Sequence, residues 1–100
     1  MTLEQRKKLT IITEAALEST LGPVLLEQGA SGYTVTNARG HGSHGARDGD
    51  WSSSSNIRIE TICEYPVAQA IAEHLLDRYA TNYAMILYLS NVEIFRPERF

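Results

Sequence analysis

Four segments of the chain have the pattern of β-strands: residues 32–38 and 56–64 place alternate residues on two different faces, residues 8–13 are β-branched and apolar, and residues 85–90 are apolar on both faces. β-branched residues are frequent in these segments, which also favours strands. The clearest case has Ile57, Ile59, Thr61 and Cys63 on one side and charged residues such as Glu60 on the other. The pattern predicts strands at residues 8–13, 32–38, 56–64 and 85–90, with a further short strand in the tail after residue 90.

Two further segments, residues 14–28 and 66–78, carry apolar residues at helical spacing. Pro23 lies inside the first, where it removes a backbone donor, so we expect a kink or a restart of the helix there. Gly29 is well placed to end this helix in the left-handed conformation. Pro66 suits the first turn of the second helix.

The predicted element order is βαββαβ, which defines an α+β, ferredoxin-like fold. Both helices are expected to cover one face of a four-stranded antiparallel sheet. The first and last strands also place apolar residues on the other face, for example Ile12, Ile86 and Tyr88. Because strands that are apolar on both faces are usually buried on both, the open face is expected to be an oligomer interface. The length of 100 residues indicates a single domain spanning 1–100.

Composition and charge exclude several classes of protein. The net charge of −3 argues against a nucleic-acid binder, and the third strand lacks the aromatic pattern of RNA-recognition modules. No apolar run reaches the length that crosses a bilayer, and the first residues are too polar for a signal peptide. The single cysteine, Cys63, is interpreted as a small core residue and suits a reducing compartment. The predicted location is cytoplasmic.

The segment of residues 40–55 has no hydrophobic period and is rich in glycine and serine. Its length favours a loop that responds to a ligand or a partner. Gly40, Gly42 and Gly45 have the spacing of a dinucleotide-binding fingerprint, but no helix start follows them. The glycines are equally consistent with a nest of backbone N–H groups that binds phosphate beside Arg47 and with a merely loose loop.

Histidines and carboxylates offer weaker signals. His41 and His44 form a pair that could bind a metal, and a trimeric ferredoxin-like metal-binding protein is the alternative interpretation. His74 is predicted to be a structural residue of the second helix. Glu60 and Glu64 fit a solvated strand face better than an acid–base pair. Since no nucleophile lies beside a base in a known motif, we predict that the protein is not an enzyme.

Two adjacent stretches carry a family resemblance. The sequence Gly-Tyr-Thr-Val-Thr-Asn at 32–37, followed by Arg-Gly-His-Gly-Ser at 39–43, resembles the strand that leads into the T-loop of PII signalling proteins. The resemblance extends over almost the whole chain and is greatest to the PII-like branch of inorganic carbon metabolism, the SbtB proteins and the carboxysome-associated CPII proteins. Residues 79–85 lack the B-loop pattern of ordinary PII proteins, and the T-loop contains Trp51 but no tyrosine. Uridylylation and the ordinary mode of triphosphate binding are therefore not expected.

The resemblance implies a PII-like homotrimer that binds an adenine nucleotide in each inter-subunit cleft. ADP, AMP or cyclic AMP is the implied ligand, with or without bicarbonate, and no further cofactor or metal is implied. The nucleotide-binding residues that it implies are Gly32, Tyr33, Thr34, Val35, Thr36, Gly40, His41, Gly42, Ser43, His44, Arg47, Glu60, Ile62, Tyr83, Ala84, Met85, Arg96 and Arg99. Thr34 would lie near the base, and His44 would replace an arginine of the family at the phosphates. The flexible T-loop, about residues 40–55, would then regulate a target in carbon uptake, such as a membrane bicarbonate transporter.

Overall fold

The structure, a computed structural model, describes residues 3–41 and 55–100. Four strands and two helices follow in the predicted order, so the βαββαβ fold is confirmed. The elements are β1 (Glu4–Glu14), a 3₁₀ turn (Ala15–Leu17), α1 (Glu18–Glu27), β2 (Thr34–Ala38), β3 (Asn56–Cys63), α2 (Tyr65–Arg78), β4 (Met85–Ile94) and a second 3₁₀ turn (Pro97–Arg99). The strands form one antiparallel sheet in the order β2-β3-β1-β4.

β1 and β4 are longer than the sequence pattern predicts. They pair from Glu4 opposite Ile94 to Thr13 opposite Met85. The polar residues 4–7 have no strand pattern of their own, but pairing with β4 satisfies their backbone groups. The short strand expected after residue 90 is therefore the continuation of β4.

Helix α1 runs without interruption through Pro23, so the predicted restart of the helix at that residue is wrong. The change of geometry comes earlier, where the 3₁₀ turn passes into α1 at Glu18. Pro23 is exposed and removes only the donor that the carbonyl of Ser19, another exposed residue, would accept. The expectation for Gly29 is confirmed: its φ is +114°, and the N–H of Ala30 donates to the carbonyl of Leu25 over 3.0 Å. This is the Schellman pattern of a helix end.

The core lies between the sheet and the two helices. Its fully buried side chains come from alternate positions of β1 and β3 and from one side of each helix. They include Leu9, Ile11, Leu21, Leu25, Ile57, Ile59, Ile71 and Leu75. The predicted inward row of β3, from Ile57 to Cys63, is buried throughout.

The opposite face of the sheet is open and partly apolar. Ile12 of β1 lies opposite Ile86 of β4, and Tyr88 lies opposite Thr10. Ile86 and Tyr88 of the edge strand β4 are each about half exposed, and together they leave an apolar patch on this face. Among the described residues, no helix is long and apolar enough to cross a membrane.

Candidate functional site

A cleft of about 250 Å³ lies where the chain enters β2 beside the middle of β3. Six of the residues singled out from the sequence line it together. The lining residues are Lys8, Ser31, Gly32, Tyr33, Thr34, Glu60, Thr61, Ile62, Arg99 and Phe100. Residues far apart in sequence thus converge on one concave surface, which is the usual form of a small-molecule site.

The wall formed by residues 32–34 is held by β3. The buried hydroxyl of Thr61 donates to the carbonyl of Gly32 over 2.7 Å. Thr34 lies directly opposite Glu60, and paired residues share a face, so both point to the open side of the sheet. β2 is an edge strand. Its outer backbone groups are therefore available to a ligand.

The side chains of Tyr33 and Val35 lie on the helix side of the sheet instead. Val35 packs against the core. The ring of Tyr33 lies against Gly22 of α1 so closely that a Cβ on Gly22 would overlap the tyrosine hydroxyl and would lie 2.9 Å from Cζ. Thr34 is thus the residue of this stretch whose side chain points to the open face of the sheet, and Tyr33 also lines the cleft.

Charged groups of both signs line the cleft. The carboxylate of Glu60 lies 3.6 Å from Nζ of Lys8 and 3.8 Å from Nε of Arg58. At these distances both pairs are ionic contacts rather than short hydrogen bonds. The second 3₁₀ turn brings Arg99 to the cleft, where its carbonyl accepts from the hydroxyl of Ser31 over 3.5 Å.

A second, smaller cleft of about 180 Å³ lies on the open face, where the chain leaves β2. It brings Gly40 and His41 together with Arg39 above an apolar floor that includes Ile12 and Ile86. Arg39 and His41 therefore lie beside apolar residues at the end of the sheet from which the long loop departs.

Tyr83, Ala84 and Met85 lie at the start of β4, on the opposite edge of the sheet from β2. The N–H of Ala84 donates to the carboxylate of Glu14 over 2.6 Å, and its carbonyl accepts from the hydroxyl of Thr13 over 2.7 Å. Three strand spacings, about 14 Å, separate the two edges. One chain therefore does not bring this group into contact with the cleft beside β2.

The remaining predicted residues are less informative. Thr36 lies opposite Arg58 on the open face. Arg96 has a left-handed backbone with φ of 56° and an exposed ion pair with Glu98, outside the two clefts described above. Gly42, Ser43, His44 and Arg47 lie outside the described residues, as does most of the predicted T-loop.

Lys8, Ser31 and Phe100 line the first cleft although the sequence pattern did not single them out. Lys8 could have been found, because strand alternation places it on the same face as Ile12. Ser31 and Phe100 carry no comparable signal, since they meet only through the path of the chain around the sheet.

Two other predicted roles agree with the structure. Cys63 is buried, and burial raises the pKa of its thiol, which makes the side chain an unreactive part of the core. Nδ1 of His74 lies 3.5 Å from the side-chain amide of Gln28, in keeping with a structural histidine. In residues 3–41 and 55–100, no three metal-ligating side chains form a cluster.

The chain is thus a small ferredoxin-like α+β protein with two clefts and a partly apolar open face. The family model for the nitrogen regulatory protein P-II matches residues 6–99. The chain therefore belongs to the P-II family and is a PII-like signalling protein, as the sequence resemblance predicted.

Solved structures agree with this assignment. A protein of Thermus thermophilus, named as a PII-like signaling protein, is 43% identical over 100% of this chain and 99% of its own, with a TM-score of 0.84. CPII of Thiomonas intermedia, a nitrogen regulatory PII-like protein solved with ADP, AMP and bicarbonate, is 25% identical over 99% of this chain and 96% of its own, with a TM-score of 0.82. Another CPII structure, with ADP and bicarbonate, is 26% identical over 99% of this chain and 97% of its own, with the same TM-score of 0.82.

Proposed function

We propose that this protein senses adenine nucleotides and acts by binding rather than by catalysis. The observation that carries the proposal is the cleft at residues 32–34, which joins the predicted residues Thr34, Glu60, Ile62 and Arg99. That CPII of Thiomonas has been solved with ADP, AMP and bicarbonate supports the same ligands here.

The chemistry of the cleft suits adenine. The carboxylate of Glu60 is an acceptor for the exocyclic amine of the base, and the hydroxyl of Thr34 opposite it both donates and accepts. A guanine would present a carbonyl oxygen where adenine has its amine, and this oxygen would face the carboxylate. The cleft is therefore expected to favour adenine over guanine.

The phosphates would extend along β2 towards Gly40, His41 and the loop. Arg39 and His41 already lie at the mouth of the second cleft. The guanidinium group and the N–H of an imidazole are suitable donors to phosphate oxygens or to bicarbonate. Gly42, Ser43, His44 and Arg47 of the loop would complete this end, as the sequence resemblance implies.

The complete pocket would lie between protomers of a homotrimer. Tyr83, Ala84 and Met85 sit on the sheet edge opposite β2. They reach a nucleotide in the cleft only if a neighbouring protomer supplies them. The half-exposed Ile86 and Tyr88 give the open face enough apolar surface to support such an assembly, which is consistent with the family.

The signalling output would be the loop of residues 40–55. A nucleotide changes the state of the loop only if it binds one state more tightly than the other. Ordering the backbone costs on the order of 1 kcal/mol per residue, so contacts with one phosphate group offset only part of the loop. We propose that the bound loop engages or releases a target in inorganic carbon uptake, such as a membrane bicarbonate transporter, from the cytoplasm.

Titration calorimetry with ATP, ADP, AMP and cyclic AMP, each with and without bicarbonate, tests the proposal. We expect binding of at least one adenine nucleotide at one site per protomer, with no turnover, and weaker binding of GDP than of ADP. A folded trimer that binds none of the four adenine nucleotides would contradict it.

A further inference from the structure

Helix α1 contains two poor helix formers in succession, Gly22 and Pro23. Glycine inside a helix is destabilising relative to alanine because of its backbone freedom. Gly22 is buried, and the place of its missing side chain is taken by the ring of Tyr33. The glycine is therefore required by a contact with the segment that enters β2 rather than by the helix itself.

We propose that packing of the Tyr33 ring on Gly22 holds residues 32–34, which form one wall of the nucleotide cleft, in position. Tyr33 lies between Gly32 and Thr34, which both line the cleft. The outer end of its ring packs on Gly22 of α1, although the side chain as a whole is 41% exposed, and the carbonyl of Gly32 accepts from the hydroxyl of Thr61 over 2.7 Å. These two contacts, one on the helix and one on β3, set the position of the cleft wall. Tyr33 itself lines the cleft, and the proposed role of its ring is to position this wall.

This inference rests on the proposed function, because its effect is measured as nucleotide affinity. A small displacement of a binding wall weakens hydrogen bonds that depend on distance and angle. An alanine at position 22 would overlap the Tyr33 ring, and we expect this overlap to displace the wall without changing any residue that lines the cleft. A substitution at position 22 therefore tests how the position of the cleft wall affects ADP affinity, because Gly22 is not itself a lining residue of the cleft.

The experiment measures ADP affinity by calorimetry and the melting temperature for four proteins: the natural chain, Gly22→Ala, Tyr33→Phe and the control Ser19→Ala. Gly22→Ala is expected to weaken ADP binding about tenfold at a temperature where both proteins are folded, and to lower the melting temperature, because the overlap with the Tyr33 ring costs more than the gain in helix propensity. Tyr33→Phe keeps the ring against α1 and removes only the hydroxyl, so its loss of ADP affinity is expected to be smaller than that of Gly22→Ala. Ser19→Ala, an exposed change in the same helix, is expected to leave the affinity unchanged.

A double substitution tests the contact itself. Leucine at position 33 lacks the ring that an alanine at position 22 would overlap. The losses of ADP binding free energy caused by the two substitutions should therefore not be additive. Gly22→Ala with Tyr33→Leu is expected to bind ADP no more weakly than Tyr33→Leu alone. This comparison remains informative even if Gly22→Ala alone folds poorly.

Three results would overturn the inference: unchanged affinity in Gly22→Ala, a large loss of affinity in Tyr33→Phe, or additive losses in the double variant. The second result would mean that the Tyr33 hydroxyl binds the nucleotide directly. If the natural chain itself fails to bind ADP, the proposed function fails first, and the two failures are thereby distinguished.

Discussion

Lys7 and Lys8 are adjacent in sequence but lie on opposite faces of β1. Nζ of Lys7 donates to the side-chain carbonyl of Asn91 over 2.5 Å and lies 5.9 Å from the ring centroid of Tyr65. Nζ of Lys8 faces Glu60 in the cleft of residues 32–34. One residue step along a strand thus separates a structural lysine from one at the proposed binding site.

This pair offers a matched test at the scale of a single residue. Lys8→Gln removes a cation that offsets Glu60 beside a ligand that is itself negative, so ADP affinity should fall about two- to fivefold, the size expected of one partly exposed charge. Lys7→Gln makes the same change in net charge on the far face and should leave the affinity unchanged. Calorimetry at equal ionic strength measures both. Equal losses in the two variants would show a general effect of charge and would argue against a local role of Lys8.

The position of residues within a regular strand pattern could be predicted from the sequence. The position of residues that reach the cleft through the path of the chain could not. The alternation from Ile57 to Cys63 is enough to assign the buried face of β3, because the strand period is two. Ser31 and Phe100 reach the same cleft only because the last described turn passes beside the start of β2. Tyr33 was selected as a ligand contact, and its position against Gly22 requires a contact between α1 and β2 that spacing alone does not reveal.

The same distinction holds at the scale of whole elements. The order of strands and helices follows from their periods, but the ends of β1 and β4 depend on their pairing with each other. Proline in a helix is usually a break, yet α1 continues through Pro23 because packing of Leu21, Val24 and Leu25 against the core outweighs one lost hydrogen bond. Tertiary packing therefore overrides local propensity in this helix.

The cost of Pro23 to the stability of helix α1 can be measured by substitution. Pro23→Ala restores a donor for the carbonyl of Ser19 and a residue of high helix propensity, so the free energy of unfolding should rise by about 1–3 kcal/mol. Denaturation by urea measures the change, with Ser19→Ala as the control for a gain in propensity alone. An unchanged or lower free energy of unfolding in Pro23→Ala would contradict this view of the helix.

At the scale of the whole molecule, assembly depends on the open face of the sheet. Ile86 lies on this face, whereas Leu76 lies on α2, and both are 52% exposed in the single chain. Burial of the open face in a trimer would make a charge at position 86 costly and a charge at position 76 harmless.

Light scattering coupled to size-exclusion chromatography measures this difference. The natural chain and Leu76→Lys should have three times the mass of the 11.1 kDa protomer, and Ile86→Lys should be largely monomeric. A trimer that survives Ile86→Lys would place the interface elsewhere.

The central claim is that each nucleotide lies between two protomers, one supplying the cleft beside β2 and the other the start of β4. Mixing two defective variants tests it directly. Thr34→Arg fills the cleft opposite Glu60, and Ala84→Glu places a negative charge at the start of β4, so neither trimer alone should bind ADP.

The two variants are mixed in equal amounts, unfolded together and refolded as mixed trimers. Calorimetry should then show ADP binding at about a quarter of the clefts, because that is the share in which one protomer supplies an unchanged Thr34 and its neighbour an unchanged Ala84. No recovery of binding in properly assembled mixed trimers would contradict the shared site.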